Sequence, residues 1–199
     1  MIAKGGRVFV AISAAAAAIL LPVNAMFCIG FAVLTGFFIF VFRDPKRTVG
    51  SGVVSPADGV IRQIDPEKGL VSIYLSLSNV HVTRAPISGS IEKVTRYPGK
   101  HLPAYSHRSP NNERIEMEMD TKIGPMSIMH MSGILARRIV PYIEEGHTVS
   151  KGKKLALIRF GSRVDLFLPP TKVVLKAVVG QKVRAGVTCI AEVLDERTG

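Results

Sequence analysis

The sequence predicts a mainly β domain of barrel-sandwich type behind an N-terminal apolar helical hairpin. Three observations carry that expectation. Residues 8–42 hold no charged side chain and are dominated by Ala, Val, Ile, Leu and Phe. Beyond them the chain breaks into short strand-like runs punctuated by Gly and Pro, at the spacing of a sandwich or barrel. Two later segments also share the pattern Gly-x-x-Val-x-x-Gly ahead of an apolar run.

The hairpin comes first. Pro22 and Asn24 divide the apolar run into residues 8–21 and 25–42. At 1.5 Å per residue the second piece is roughly 27 Å long, enough for a bilayer core, and the first roughly 21 Å. Lys4 and Arg7 precede the run, and Arg43, Lys46 and Arg47 follow it. The positive-inside rule therefore puts both ends in the cytoplasm. A hairpin dipping into one leaflet, or a tight two-helix span, fits this pattern. A cleaved signal peptide fits worse, because the Ala-rich part runs straight into a second apolar segment with no convincing cleavage site.

Asp44-Pro45 ends any helix leaving the apolar run, and Gly50-Ser51-Gly52 supplies a short linker. The expected organisation is thus a membrane-associating segment with its junction over residues 1–49, then a β domain over 50–199. Candidate strands are residues 53–54, 59–64, 70–77, 80–84, 90–97, 114–120, 124–130, 154–159, 164–168, 172–178 and 188–194. A turn or two of helix is expected within 132–140. The repeated segments begin at Gly146 and Gly180, and their glycines suit tight turns of positive φ. Their spacing is that of barrel-sandwich half-repeats that carry biotin or lipoate, but no lysine-bearing hairpin tip is present.

Charge and cysteine content narrow the partners. Past residue 42 there are 24 Lys and Arg (26 in the chain, less Lys4 and Arg7) against 15 Asp and Glu, a net of +9. Beside an apolar anchor, attraction to anionic headgroups is the economical reading. Nucleic acid is the weaker one, since there is no Trp and the basic residues are scattered without an aromatic ladder. Cys28 and Cys189 make neither a disulfide framework nor a metal set, as suits a reducing compartment. His101, His107, His130 and His147 lack metal-ligand spacing and are expected on loops or surfaces, so no metal is predicted. Met117, Met119, Met126, Met129 and Met131 alternate along two candidate strands and read as core.

The stretch Phe160-Gly161-Ser162-Arg163 lies between two candidate strands. A serine hydroxyl there can attack the preceding Gly161 carbonyl. An N→O acyl shift gives an ester, β-elimination releases the upstream piece, and hydrolysis of what remains leaves an N-terminal ketone. A Gly-Ser pair alone is far more often a plain turn, and Pro56-Ala57-Asp58-Gly59 is also a good turn by itself. His81 alternates with apolar residues and reads by default as a core histidine.

Taken together, several segments resemble the short, single-domain form of the phosphatidylserine decarboxylases. They are Phe42-Arg43-Asp44-Pro45-Lys46-Arg47, Ser55-Pro56-Ala57-Asp58-Gly59, Asn79-Val80-His81-Val82-Thr83-Arg84-Ala85-Pro86, Ile87-Ser88-Gly89, Asn112-Glu113-Arg114, Ala136-Arg137-Arg138-Ile139 and Arg159-Phe160-Gly161-Ser162-Arg163-Val164-Asp165. The resemblance covers nearly all of residues 42–170, in the family's order. It implies cleavage between Gly161 and Ser162 into a β chain of 1–161 and an α chain of 162–199, which stay together as a heterodimer, with higher oligomers open. It implies a covalent pyruvoyl cofactor made from Ser162. That ketone forms a Schiff base with the amine of phosphatidylserine, and CO₂ and phosphatidylethanolamine are released at the cytoplasmic face of the cell membrane. His81 and Asp58 match the positions of a base and its orienting group, as in a Ser-His-Asp relay. The long forms carry two histidines three apart; here Arg84 takes the second place. His81 is therefore open to self-cleavage, α-carbon protonation or both, and Arg84 to the substrate's carboxylate or phosphate. Arg137 and Arg138 are further candidates for a phosphate.

Two other functions compete. One keeps the chemistry but takes archaetidylserine, the ether lipid with the same headgroup. The other is a non-enzymatic, membrane-anchored carrier or adaptor module, which predicts an intact chain and a dispensable Ser162.

Overall fold

In a computed structural model, residues 1–100, 102, 111–133, 138–159 and 161–194 are described. They divide into two units, Met1–Lys46 and Arg47–Gly199. In the first, helix α1 (Arg7–Leu20) and helix α2 (Ala25–Val41) form the expected hairpin. Asn24 caps α2: its side-chain oxygen accepts from the N–H groups of Met26 at 2.9 Å and Phe27 at 3.3 Å. The helices meet through the Phe9 ring against Phe38 and Phe42, and through a hydrogen bond from Thr35 Oγ1 to Ser13 Oγ at 2.9 Å. Large apolar side chains including Ile12, Ile19, Phe27, Ile29 and Val33 stay exposed. No helix among the described residues is long and apolar enough to cross a membrane.

The second unit is built of strands. In chain order they are β1 (Val53–Val54), β2 (Gly59–Asp65), β3 (Leu70–Leu75), β4 (Val82–Arg84), β5 (Gly89–Tyr97), β6 (Arg114–Thr121), β7 (Met126–Met131), β8 (Ile139–Pro141), β9 (Thr148–Val149), β10 (Lys154–Ile158), β11 (Ser162–Phe167), β12 (Val173–Leu175), β13 (Lys182–Val183) and β14 (Cys189–Val193). The fold is mainly β, as expected. Eight strands form one sheet in the order β13-β2-β3-β11-β7-β6-β5-β9. Two three-stranded sheets, β4-β10-β8 and β1-β14-β12, complete the domain.

Every candidate strand has a counterpart here, β1 with the expected ends and the others with one or both ends shifted. Three short strands escaped the sequence reading: β8, β9 and β13. The last two are the valine-bearing centres of the glycine repeats, and they pair at the two edges of the large sheet. Gly146, Gly152, Gly180 and Gly186 all have positive φ, between 75° and 89°. The repeats thus act as edge strands held between tight turns, which closes off ladders that would otherwise be open. Of the helix expected within 132–140, residues 134–137 lie outside the described residues, and Ile139 and Val140 belong to β8.

Inward-facing residues explain the core. On β6, Ile115, Met117 and Met119 alternate toward the interior and are essentially fully buried, and Met126 and Ile128 join them from β7. His130 is a correction. It was expected on a loop or surface, yet it lies on β7 and is fully buried, because strand alternation after Met126 and Ile128 turns position 130 inward.

Candidate active site

The link between β10 and β11 decides the site. β10 belongs to the small sheet with β4 and β8, whereas β11 runs in the middle of the large sheet between β3 and β7. Residues 159–161 therefore carry the chain from one sheet to the other. Gly161 takes φ +66°, a left-handed conformation that glycine adopts at no steric cost. Ser162 then opens β11, paired with Leu75 of β3.

His81 reaches this link from just before β4. Its carbonyl accepts from Ile158 N–H at 3.1 Å, which ties it to the end of β10. Its ring is fully buried, and Nε2 accepts a hydrogen bond from the Gly161 N–H at 3.2 Å. An accepting Nε2 makes the ring neutral, with its proton on Nδ1. Ser162 is fully buried as well, and its hydroxyl oxygen has no hydrogen-bond partner among the described residues. A buried hydroxyl without a partner costs free energy, on the order of 1–3 kcal/mol. Among the described residues no hydrogen bond engages Ser162 Oγ.

Asp58 lies in the turn before β2. Its carboxylate receives both terminal nitrogens of Arg47, with Nη2 at 2.8 Å from Oδ2, and the Ala185 N–H at 2.8 Å. Arg47 Nη1 also donates to the Ala185 carbonyl at 2.8 Å. Both side chains are nearly buried. These contacts fix the turn of Asp58 to the segment after β13, and none of them is with His81. The structure thus joins Ser162, Gly161 and His81 at one place, while Asp58 sits in an ion pair with Arg47. Sequence reasoning counted Arg47 as a flank of the apolar run and as the end of a family-like segment, with no role at the site; the signal missed was a basic residue beyond the helix-breaking proline.

The remaining candidates divide. Arg84 is buried and donates to the Gly152 carbonyl at 3.1 Å, with its stem against Gly186. It spans the two glycine repeats. Arg137 lies outside the described residues, and so do His101 and His107; Arg138 is exposed. His147 is exposed, with Nδ1 at 3.0 Å from the Glu144 carbonyl. Asn112, from one of the quoted motifs, is fully buried and bonds Leu102 and the Ser132 carbonyl.

Residues 34–191 match the family model for phosphatidylserine decarboxylase. Among curated relatives, a phosphatidylserine decarboxylase proenzyme of Streptomyces avermitilis is 44% identical over 182 residues, covering 89% of this chain and 80% of its own length. One of Streptomyces coelicolor is 47% identical over 156 residues, covering 76% and 71%. A Halobacterium salinarum protein, provisionally named an archaetidylserine decarboxylase proenzyme, is 42% identical over 166 residues, covering 79% and 82%. The chain belongs to the phosphatidylserine decarboxylase family of carboxy-lyases.

Proposed function

We propose that this chain cleaves itself between Gly161 and Ser162 and then converts phosphatidylserine to phosphatidylethanolamine and CO₂. The observation that carries the proposal is the buried Ser162 hydroxyl, which no described residue bonds, beside a left-handed Gly161 whose N–H is held by His81. In the cleavage step Ser162 Oγ adds to the Gly161 carbonyl carbon and the neutral His81 ring takes the hydroxyl proton. The peptide nitrogen leaves to give an ester. Elimination then frees residues 1–161 as a carboxylic acid, and water expels the nitrogen of residue 162 as ammonia.

The arrangement fits the ketone that results. Conversion removes a hydroxyl that bonds no other group among the described residues, so no buried donor or acceptor of theirs is stranded. Once formed, the pyruvoyl carbonyl supplies the electron sink that decarboxylation of an amino acid requires. The protein's part is to enclose the reacting carbon, with His81 placed to return a proton to it. Asp58 acts as a positioning residue through Arg47 and Ala185.

Association of the two pieces follows from pairing. Strands β11, β13 and β14, all downstream of the cut, pair with β1, β2, β3 and β7 upstream of it. A heterodimer of residues 1–161 and 162–199 is therefore held by the same ladders as the precursor. The apolar hairpin, with its exposed Ile, Val and Phe side chains, is read as the part that enters the cytoplasmic membrane face, where the substrate resides. Likeness to the Halobacterium protein keeps archaetidylserine as a second substrate, since the headgroup is the same.

Intact mass of the purified protein tests the proposal. Two chains are expected, the smaller one beginning with a residue lighter than serine and blocked to stepwise N-terminal sequencing. Ser162→Ala should give one uncut chain and no CO₂ from phosphatidylserine. A wild-type chain that stays whole, or a Ser162→Ala protein that still turns over, overturns the reading. Parallel assays with ester and ether lipids separate the two substrates.

A further inference from the structure

Thr83 and His130 join the two sheets that meet at the site. Thr83 lies on β4 of the small sheet and His130 on β7 of the large one, and both are fully buried. Thr83 Oγ1 donates its one hydrogen to the Ala156 carbonyl at 3.2 Å. It therefore accepts from His130 Nε2, which lies 3.0 Å away and carries the ring proton. A hydrogen bond has a preferred length and angle, whereas apolar burial is non-directional. This bond fixes how β4 stands against β7.

Ladder pairs tie both ends of the bond to the reacting groups. On the small sheet, Ala156 lies opposite Thr83 and Leu157 opposite Val82, and the Ile158 N–H donates to the His81 carbonyl. On the large sheet, His130 lies opposite Val164, and Met131 opposite Arg163, the neighbour of Ser162 in the chain. Thr83 is two residues from His81, and Val164 is two from Ser162. Along a strand that separation is roughly 7 Å.

The proposed cut changes what holds these groups together. Before it, the backbone itself runs from β10 through Gly161 to Ser162. After it, residue 162 begins a separate chain, and the contact of His81 with the Gly161 N–H no longer fixes that residue. Thr83 and His130 both precede the cut, so their bond lies within one piece. We infer that Thr83 and His130 are positioning residues for decarboxylation, whose bond keeps His81 against residue 162 once the backbone link is gone. This rests on the reaction proposed above, in which His81 returns a proton to the α-carbon. A misplacement of about 1 Å there costs on the order of 10²-fold in rate.

The experiment uses the full-length protein with phosphatidylserine in detergent micelles. Thr83→Val and His130→Leu remove the bond and keep similar bulk. Both should cleave to completion by intact mass, because the backbone still holds Ser162 beside His81 at that stage. In the processed proteins kcat should fall at least about tenfold, with KM within about threefold of wild type. Thr83→Ser keeps the hydroxyl, and His130→Gln sets an amide nitrogen where Nε2 lies. Both should recover most of the lost kcat. Met117→Ala removes buried bulk from the same core outside the bond and should leave kcat near wild type. An unchanged kcat in both Thr83→Val and His130→Leu overturns the inference. An equal loss in Thr83→Ser and His130→Gln, or in Met117→Ala, also overturns it, since the bond would then not be the cause. If one of the first two variants does not fold, the other decides by the same readings. If both stay uncut or unfolded where the wild type cleaves, the bond acts before the cut and the inference fails. A wild-type chain that never cleaves defeats the proposed function instead, so the two failures are distinct.

Discussion

His81 and His130 are both fully buried, yet they have different neighbours. His130 faces the Thr83 hydroxyl at 3.0 Å, between strands of the packed core. His81 faces the Gly161 N–H at the crossing between two sheets, next to a serine hydroxyl without a partner among the described residues. The core histidine is bound to a side chain that stays put. The other is bound to the backbone beside the bond expected to break. Burial alone does not mark a reactive group; what matters is whether the surrounding polar groups are already satisfied.

Substituting the two histidines in parallel is the sharpest way to break this comparison. His81→Ala should slow self-cleavage by about 10²–10⁴-fold, the usual worth of a positioned base, read as uncut chain remaining with time by mass spectrometry. His130→Gln should cleave at close to the wild-type rate. Equal slowing in both would place the two rings in one relay and end the distinction.

The Arg47–Asp58 pair sharpens the same point from the satisfied side. Asp58→Asn leaves a buried guanidinium without its counter-charge and should cost about 3–5 kcal/mol in a denaturant titration. Replacing both partners, as in Arg47→Met with Asp58→Leu, should restore much of that stability. If the double variant is stable and cleaves, Asp58 acts through packing of its turn. If it is stable and stays whole, Asp58 belongs to the chemistry.

His130 also predicts a pH effect. Burial lowers its pKa from 6.5 to about 4, partly offset by the backbone of Ile115. Between those values the unfolded chain binds more protons than the folded one, so stability rises with pH. Stability should be complete above the unfolded value and fall as pH drops toward about 4, by up to about 3 kcal/mol. Denaturant midpoints at about pH 7 and about pH 4.5 read the slope, which His130→Gln should flatten. A variant with an undiminished slope would assign the effect to other groups.

The smallest effect is expected at the crossing itself. A Cβ on Gly161 would meet nothing within 4 Å, so the cost of Gly161→Ala comes from φ +66° alone, about 1–2 kcal/mol. The chain should fold and cleave more slowly, by up to roughly tenfold. Cleavage at the full rate would show that the left-handed turn is not needed for attack.

Much of this molecule was legible beforehand because local patterns report local structure. Pro22 and Asn24 marked the break between the helices, alternation on 114–120 and 124–130 marked the sheet, and the glycine repeats marked tight turns. Strands β8, β9 and β13 were missed because two- and three-residue strands carry too little periodicity to stand out. His130 was misplaced because a single polar residue among methionines looks like a surface position until its strand is seated against two neighbours.

By itself the sequence determined the mainly β class, the apolar hairpin, the family, and the Gly161–Ser162 bond as the place to look. These depend on composition, spacing and residue type, which are properties of neighbours along the chain. Only the tertiary structure decided which groups meet. It set Ser162 inside the large sheet with its hydroxyl bonded to no described residue, gave His81 to the Gly161 N–H, and gave Asp58 to Arg47. Such meetings join residues as much as 80 positions apart, as from His81 to Gly161, and are fixed by sheet order and register, which no local pattern encodes.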